Sequence, residues 1–458
     1  MAGIGFELRK ILKRDTLTSI IEAYGLAGLI SSGPWVLSII ALLIIGIISV
    51  GVIYPSYIII QFLITVTYMM AGSLILSGAL QILFTRFVAD TLFLGEDRRV
   101  IPNLFGAMLT MTLVSGLIGL VVMYFCDSID IVSKLCLLGS FVLLTNQWIV
   151  IIFLSGMKEY YRIVATIFCG YGLMIFLSYI MPPCGYVGLV VIFFISQAVL
   201  TFAFLYQVVV TFPGERFIAF EFLDPKKVYI SLVFCGLFYN LGVWSDKFVF
   251  WFRHETSYAQ LGIFRASYIY DLPIFIAYLA VVPGMAVFIM KMETDFTENC
   301  LKFYDNVRKG GSLNTIRLYK EKMIISCRNS IYKIFKIQGI TLALLLVFAD
   351  KILTFLGIDL IYLNLFYVDL VGVSLQVLVM AILNVMYYLD KRYSACILSF
   401  IMVITNFVFS YITVDLGPIY YGYGFSLSML VCTVVGLIQI NSHFDDLEYQ
   451  TFMLQKTS

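Results

Sequence analysis

Apolar runs of about 20 residues, each long enough to cross the roughly 30 Å hydrocarbon layer as a helix, follow one another almost without interruption through the sequence. Bounded by charges or by Gly and Pro, they fall near 26–50, 57–85, 103–125, 131–155, 163–181 and 185–210, then near 228–252, 266–290, 334–356, 361–388, 394–414 and 418–440. Composition supports that reading, with 61% hydrophobic and 13% charged residues in a chain of 458. No soluble core of that size could hide so much apolar side chain. The expected fold is an all-α polytopic membrane protein with twelve transmembrane helices.

Orientation follows from the basic residues, because Lys and Arg are retained on the cytoplasmic side. With the N-terminus inside, 25 of the 30 Lys and Arg residues are cytoplasmic, and Lys134, Lys247, Arg253, Arg265 and Lys351 are not. Both termini are then expected in the cytoplasm of a cytoplasmic (inner) membrane protein. The formal net charge of +2 offers nothing to nucleic acid. Nine cysteines without a C-x-x-C pair, and two histidines far apart, give no metal site, triad or disulfide framework. No G-x-x-x-x-G-K-S/T loop is present, so ATP hydrolysis within the chain is not expected, and no cofactor is implied.

Spans three to six recur about 231 residues later as spans nine to twelve, the pattern of a parallel repeat of two six-helix bundles. The expected units are a cytoplasmic interfacial amphipathic helix at 1–19, bundles at 20–212 and 228–441 joined by a cytoplasmic linker at 213–227, and a tail at 442–458. Ile4, Leu8, Ile11 and Leu12 share a face of the first helix, with Arg9, Lys10, Lys13 and Arg14 elsewhere on the wheel. The long loop 291–333 is amphipathic too: Phe296, Cys300, Phe303 and Val307 recur with helical spacing before Gly310 and Gly311. Ten Lys or Arg between Lys291 and Lys336 suit it to anionic membrane lipids or to a cytoplasmic partner, touched through Phe296, Phe303 and Val307.

Several residues stand out as functional. Gly33 and Pro34 interrupt span one, and Pro273 and Pro283 interrupt span eight, as static kinks or as hinges. Asp246, Lys247, Arg253, Arg265 and Asp271 crowd the outer ends of spans seven and eight, where charge is costly unless paired or wet. They are either a salt-bridged anchor or part of a substrate path, with the aromatic faces of Trp244, Trp251, Tyr239 and Tyr268 and the amide of Asn240 beside them. Adjacent Asp246 and Lys247 diverge by about 100° on the helix, whereas Asp246 and Arg253 share a face. Asp369, alone in span ten, is a site for ion coupling, a protonated acid, or a partner of Arg265 or another cation.

The opening MAGIGFELRK, the segment ISSGPWV (Ile30 to Val36) and WSDKFVFW (Trp244 to Trp251) resemble the PelG family, inner-membrane transporters of the Pel exopolysaccharide system. The resemblance implies a MATE/flippase-like fold and export of a polysaccharide rich in N-acetylgalactosamine. It also implies a complex with a cytoplasmic glycosyltransferase and with membrane proteins that respond to cyclic di-GMP. Basic cavity linings in lipid-linked sugar flippases make Arg253 and Arg265 the implied cavity cations, with those aromatic faces as surfaces for sugar rings and the Asn240 amide as a hydroxyl partner. An ion-coupled MATE-type exporter of small molecules and a lipid-linked oligosaccharide flippase are the competing transporters. A membrane-embedded transferase and an assembly scaffold are the competitors from other classes.

Overall fold

The computed structural model describes residues 3–12, 16–49, 57–154, 160–180, 185–214, 216–224 and 229–453. Nearly all of this is helix. The order is α1 (Gly3–Leu12), α2 (Leu17–Ser49), α3 (Tyr57–Phe93), α4 (Val100–Tyr124), α5 (Ile131–Leu154), α6 (Tyr160–Ile180), α7 (Gly185–Thr211) and α8 (Ile230–Phe252). A hairpin of β1 (Tyr258–Leu261) and β2 (Phe264–Ala266) follows, then α9 (Tyr268–Ala277), α10 (Val281–Lys291), α11 (Thr297–Arg308) and α12 (Leu313–Phe355). The chain continues as α13 (Leu363–Tyr388), α14 (Arg392–Leu416), α15 (Tyr423–Asp445) and α16 (Leu447–Met453).

Among the described residues, ten helices are long and apolar enough to cross a membrane. Thr18–Ser31 and Val36–Gly46, either side of Gly33 and Pro34, make an eleventh when counted together. The side chains of Gly33 and Pro34 lie outside the described residues, so the hinge expected there is not visible. The 23-residue α8 is long enough to span but is diluted by Asn240, Asp246 and Lys247. The large apolar side chains left on outer faces, such as Leu113, Leu117 and Val347, suit contact with lipid rather than water.

The helices pack as two units, Ser32–Asp271 and Ile4–Ser31 with Leu272–Ser458. These boundaries differ from those expected at 20–212 and 228–441. The physical reason lies in the glycines of α3 and α8. A Cβ on Gly236 would stand 2.0 Å from the Gly78 carbonyl oxygen, so only two glycines allow the backbones this approach. That contact fastens α8 to the first unit, whose other close pairs include α5 with α7.

In the second unit the segment 291–333 is helical almost throughout. A π-helical turn, Met292–Phe296, carries α10 into α11, Gly310 at φ 67° ends the run, and Ser312 caps α12 by accepting the Thr315 amide at 3.3 Å. Expected helix and expected glycine stop are both present. Phe296 and Phe303, however, are fully buried within this unit, Phe296 edge-on to Tyr388 at 5.7 Å between ring centres. They are therefore not a free partner surface; burying their rings against neighbouring helices is worth about 1.5–3 kcal/mol each. Val307 remains half-buried. In the first helix Leu8 and Ile11 are buried in the same unit, and Arg9 reaches Glu298 at 3.1 Å and Asp295 at 3.6 Å.

Span eight does break near its prolines. Pro273 sits inside α9, and a 3-10 turn, Tyr278–Ala280, separates α9 from α10 with its Pro283. Gln338 of α12 donates to the Ala280 carbonyl at 2.9 Å and to Ser374 of α13 at 3.2 Å. A carbonyl freed by an irregular turn at membrane depth needs such a donor.

Candidate functional site

The first unit gathers most of the charged and aromatic residues singled out above, in two layers around the α8 C-terminus. The inner layer is dry. Asp246 and Lys247 are 0% and 1% exposed, with Nζ 2.9 Å from Oδ2 and 3.2 Å from Oδ1. The expected divergence of these neighbours is overturned by the length of the lysine. Its stem runs back along the helix, so that Nζ also donates to the Val243 carbonyl at 3.0 Å, and this path carries it across the carboxylate. The Tyr270 hydroxyl donates to Asp246 Oδ2 at 2.6 Å, and the Tyr270 ring lies flat on Phe250 with centres 3.8 Å apart. Trp244 completes the layer, its ring 5.8 Å from Nζ.

Trp251 turns the other way. Its indole N–H donates to both oxygens of Asp271, at 2.8 and 2.9 Å, and its ring stacks on Tyr68 of α3 at 4.4 Å. Asp271 also accepts the Ser267 amide at 3.1 Å and thereby caps the start of α9. Trp244, Trp251, Asp246 and Lys247 are thus buried and occupied with protein, which removes them from the expected open sugar-binding surface. They anchor the helix ends.

The outer layer is the hairpin. Its register pairs Ala259 with Arg265 and Tyr258 with Ala266, and Gly262 at φ 58° makes the turn. Gln61 of α3 donates to the Gln260 carbonyl at 3.0 Å, and the Tyr68 hydroxyl donates to the Arg265 carbonyl at 2.8 Å, so α3 holds both strands. Burial pushes the nearby Cys126 thiol above its ordinary pKa, against the effect of a backbone hydrogen bond with Ile263.

Arg265 is half-buried, and its guanidinium lies among groups other than carboxylates: Nε donates to Ser257 Oγ at 2.9 Å, and Nη2 lies 3.4 Å from the Ser257 carbonyl and from His254 Nδ1. Among the described residues no carboxylate lies within 4 Å of it, unlike Lys247. Its positive charge is therefore positioned but not cancelled. Arg253 is half-buried where α8 ends, and its carbonyl accepts from Ser257 Oγ at 2.7 Å. Tyr268 is half-buried beside Tyr258, ring centres 6.3 Å apart.

Not everything singled out meets here. Asn240 lies about 20 Å back along α8 from Arg253 and donates to the Gly236 carbonyl at 3.0 Å, within the glycine crossing. Half-buried Tyr239 precedes it. Asp369 is fully buried in the second unit, where a Cβ on Gly422 would approach its Oδ1 to 2.9 Å. Tyr68, Ser257 and Tyr270 are the residues that sequence reasoning missed. The alternation of Phe264, Arg265 and Ala266 after a glycine was the available hairpin signal; nothing local marks the two tyrosines.

With this geometry in view, comparison with known proteins settles the family. The model of PelG, described as "Putative exopolysaccharide Exporter (EPS-E)", matches residues 1–452. The chain belongs to the PelG family. No curated protein matches it. Among solved structures it is similar to a MATE transporter in complex with MaL6, with a TM-score of 0.63 at 14% identity over 92% of this chain and 96% of that one. A MOP superfamily transporter from Pyrococcus furiosus Vc1 gives 0.62 at 15% over the same shares. An outward-facing multidrug resistance MATE family transporter of the MOP superfamily gives 0.59 at 16%, again over 92% and 96%. These likenesses show a MATE-type helical fold; the family match and the apolar helices make this PelG-family chain a multi-pass membrane protein of the transporter class.

Proposed function

We propose that this chain exports a Pel-like, N-acetylgalactosamine-rich exopolysaccharide across the cytoplasmic membrane as part of a synthase complex. The family match over residues 1–452 is the observation that carries the reading. In it the chain has twelve spans, α8 being the most polar, with both termini cytoplasmic. A cytoplasmic glycosyltransferase supplies the polymer, and membrane proteins that respond to cyclic di-GMP accompany it. A polyhydroxylated chain must be kept from lipid, because each unsatisfied hydroxyl in an apolar medium costs several kcal/mol.

Arg265 is the residue best suited to meet the glycan or an anionic leader, since among the described residues no carboxylate holds its guanidinium and a fork of N–H donors remains half-exposed. Arg253 and Tyr268 are its neighbours in that role, while Tyr239 and Asn240 lie deeper on α8. Gly33 and Pro34 in the first span, and the break near Pro273 and Pro283 in span eight, are the hinge positions of the cycle. Asp369, buried in a span, is the place for ion coupling if the cycle is driven by a cation.

Secretion by a deletion strain carrying variants of this chain tests the reading. Arg265→Ala abolishes polymer release at normal membrane abundance, and Arg265→Lys restores part of it because a point charge replaces the fork imperfectly. Normal secretion by Arg265→Ala and Arg253→Ala would reduce the hairpin to an anchor.

A further inference from the structure

The second unit contains a polar cleft of about 330 Å³ between the region around the π-helical turn and the first half of α12. Lys291, Lys322 and Lys333 line it together with Asp295, Asn299 and Asn329. The aspartate does not neutralise it. Asp295 is engaged by Lys291 at 3.1 Å and by Arg9 at 3.6 Å, whereas among the described residues Lys322 and Lys333 have no carboxylate within 4 Å. Lys322 only leans over the Tyr319 ring at 5.3 Å. Two uncancelled ammonium groups, the Asn329 amide and the second N–H of Asn299, whose first goes to the Asp295 carbonyl at 2.8 Å, surround one open cleft and match the oxygens of a phosphate ester.

Depth in the membrane says which ester. Lys291 is the first charged residue after the uncharged run 272–290, and Lys333 and Lys336 are the last before the uncharged run 337–349. The Ser330 hydroxyl donates to the Lys291 carbonyl at 3.4 Å, so the two runs leave the hydrocarbon side by side at the level of the cleft. That level is where phospholipid headgroups lie.

We propose that this cleft is a binding site for the phosphate of an anionic phospholipid, held by Lys322 and Lys333 with Asn299 and Asn329 as neutral donors. The site rests on the membrane-spanning character of the helices and not on the substrate of transport. It would tie the long helical hairpin of α11 and α12 to the leaflet beside it. Surface lysines facing anionic lipid contribute about fivefold each in affinity, so removing both lowers it about twentyfold or more.

The test is native mass spectrometry of the purified full chain, titrated with phosphatidylglycerol and with phosphatidylcholine. The wild-type protein and Lys322→Arg/Lys333→Arg should retain phosphatidylglycerol in preference. Lys322→Gln/Lys333→Gln should lose that preference about twentyfold, while Lys309→Gln, which removes an exposed lysine outside the cleft, should keep it. Inorganic phosphate should not displace the lipid. No preference in the wild-type protein, full retention by the double Gln variant, or displacement by inorganic phosphate would each overturn the proposal, the last by pointing to a soluble phosphoester. If the Gln pair does not fold, the wild-type preference and the phosphate competition still decide.

Discussion

Lys247→Met offers a sharp test of the dry layer at the end of α8. With charges about 3 Å apart, the attraction between Asp246 and Lys247 is about 5–6 kcal/mol at an effective dielectric of 20. Desolvating each ion costs several kcal/mol, so the pair as a whole contributes little net stability. Breaking it is different. Methionine fills the lysine's volume but takes the ammonium away from a carboxylate that is 0% exposed and still accepts from Tyr270 at 2.6 Å. Removing one partner of a buried ion pair costs about 3–5 kcal/mol. Asp246→Asn/Lys247→Met removes both charges and keeps an acceptor for Tyr270, so it should return to within about 1–2 kcal/mol of wild type. Unfolding free energies in mixed micelles across this double-mutant cycle measure the difference. A Lys247→Met protein as stable as wild type would refute the buried pair, and a stable double variant that no longer secretes polymer would return these residues to the substrate path.

Three further outcomes follow. Gly236→Ala should sharply reduce folded protein in the membrane, because its Cβ meets the Gly78 carbonyl at 2.0 Å, whereas Gly116→Ala, with nothing within 4 Å, should be neutral; abundance on fluorescence-detected size exclusion compares them. On a cysteine-free background, Asp305→Cys should react with an impermeant maleimide only from the cytoplasmic side, and labelling from outside would reverse the topology. Gln338→Leu should cost about 1–3 kcal/mol, since it strips the Ala280 carbonyl of its 2.9 Å donor in the broken span; unchanged unfolding would show that water replaces it.

The spans were legible because lipid leaves the backbone no other solution. An apolar run of the right length must be helical, and α4, α5, α7 and α13 begin and end within a few residues of the expected points. What polar residues do inside such a bundle was less legible. Helical-wheel geometry separates Asp246 from Lys247 correctly at Cβ, yet a lysine stem four carbons long erases that separation. Trp251 was expected to face sugars because it is aromatic and near charge; its partner Asp271, 20 positions on, comes within reach only when the hairpin folds. Amphipathic periodicity found α11 but did not say what its apolar face would meet. Helix α12 answers that: its 43 residues extend about 65 Å, about twice the hydrocarbon thickness, and α11 packs along it.

The exporter reading is tested most directly by following newly made polymer in sealed inverted vesicles that contain the synthase complex with or without this chain. Fed a nucleotide sugar from outside, vesicles with the chain should accumulate polymer in the lumen, protected from added glycosidase, and those with Arg265→Ala should not. Equal protection in vesicles lacking the chain would contradict export by this protein.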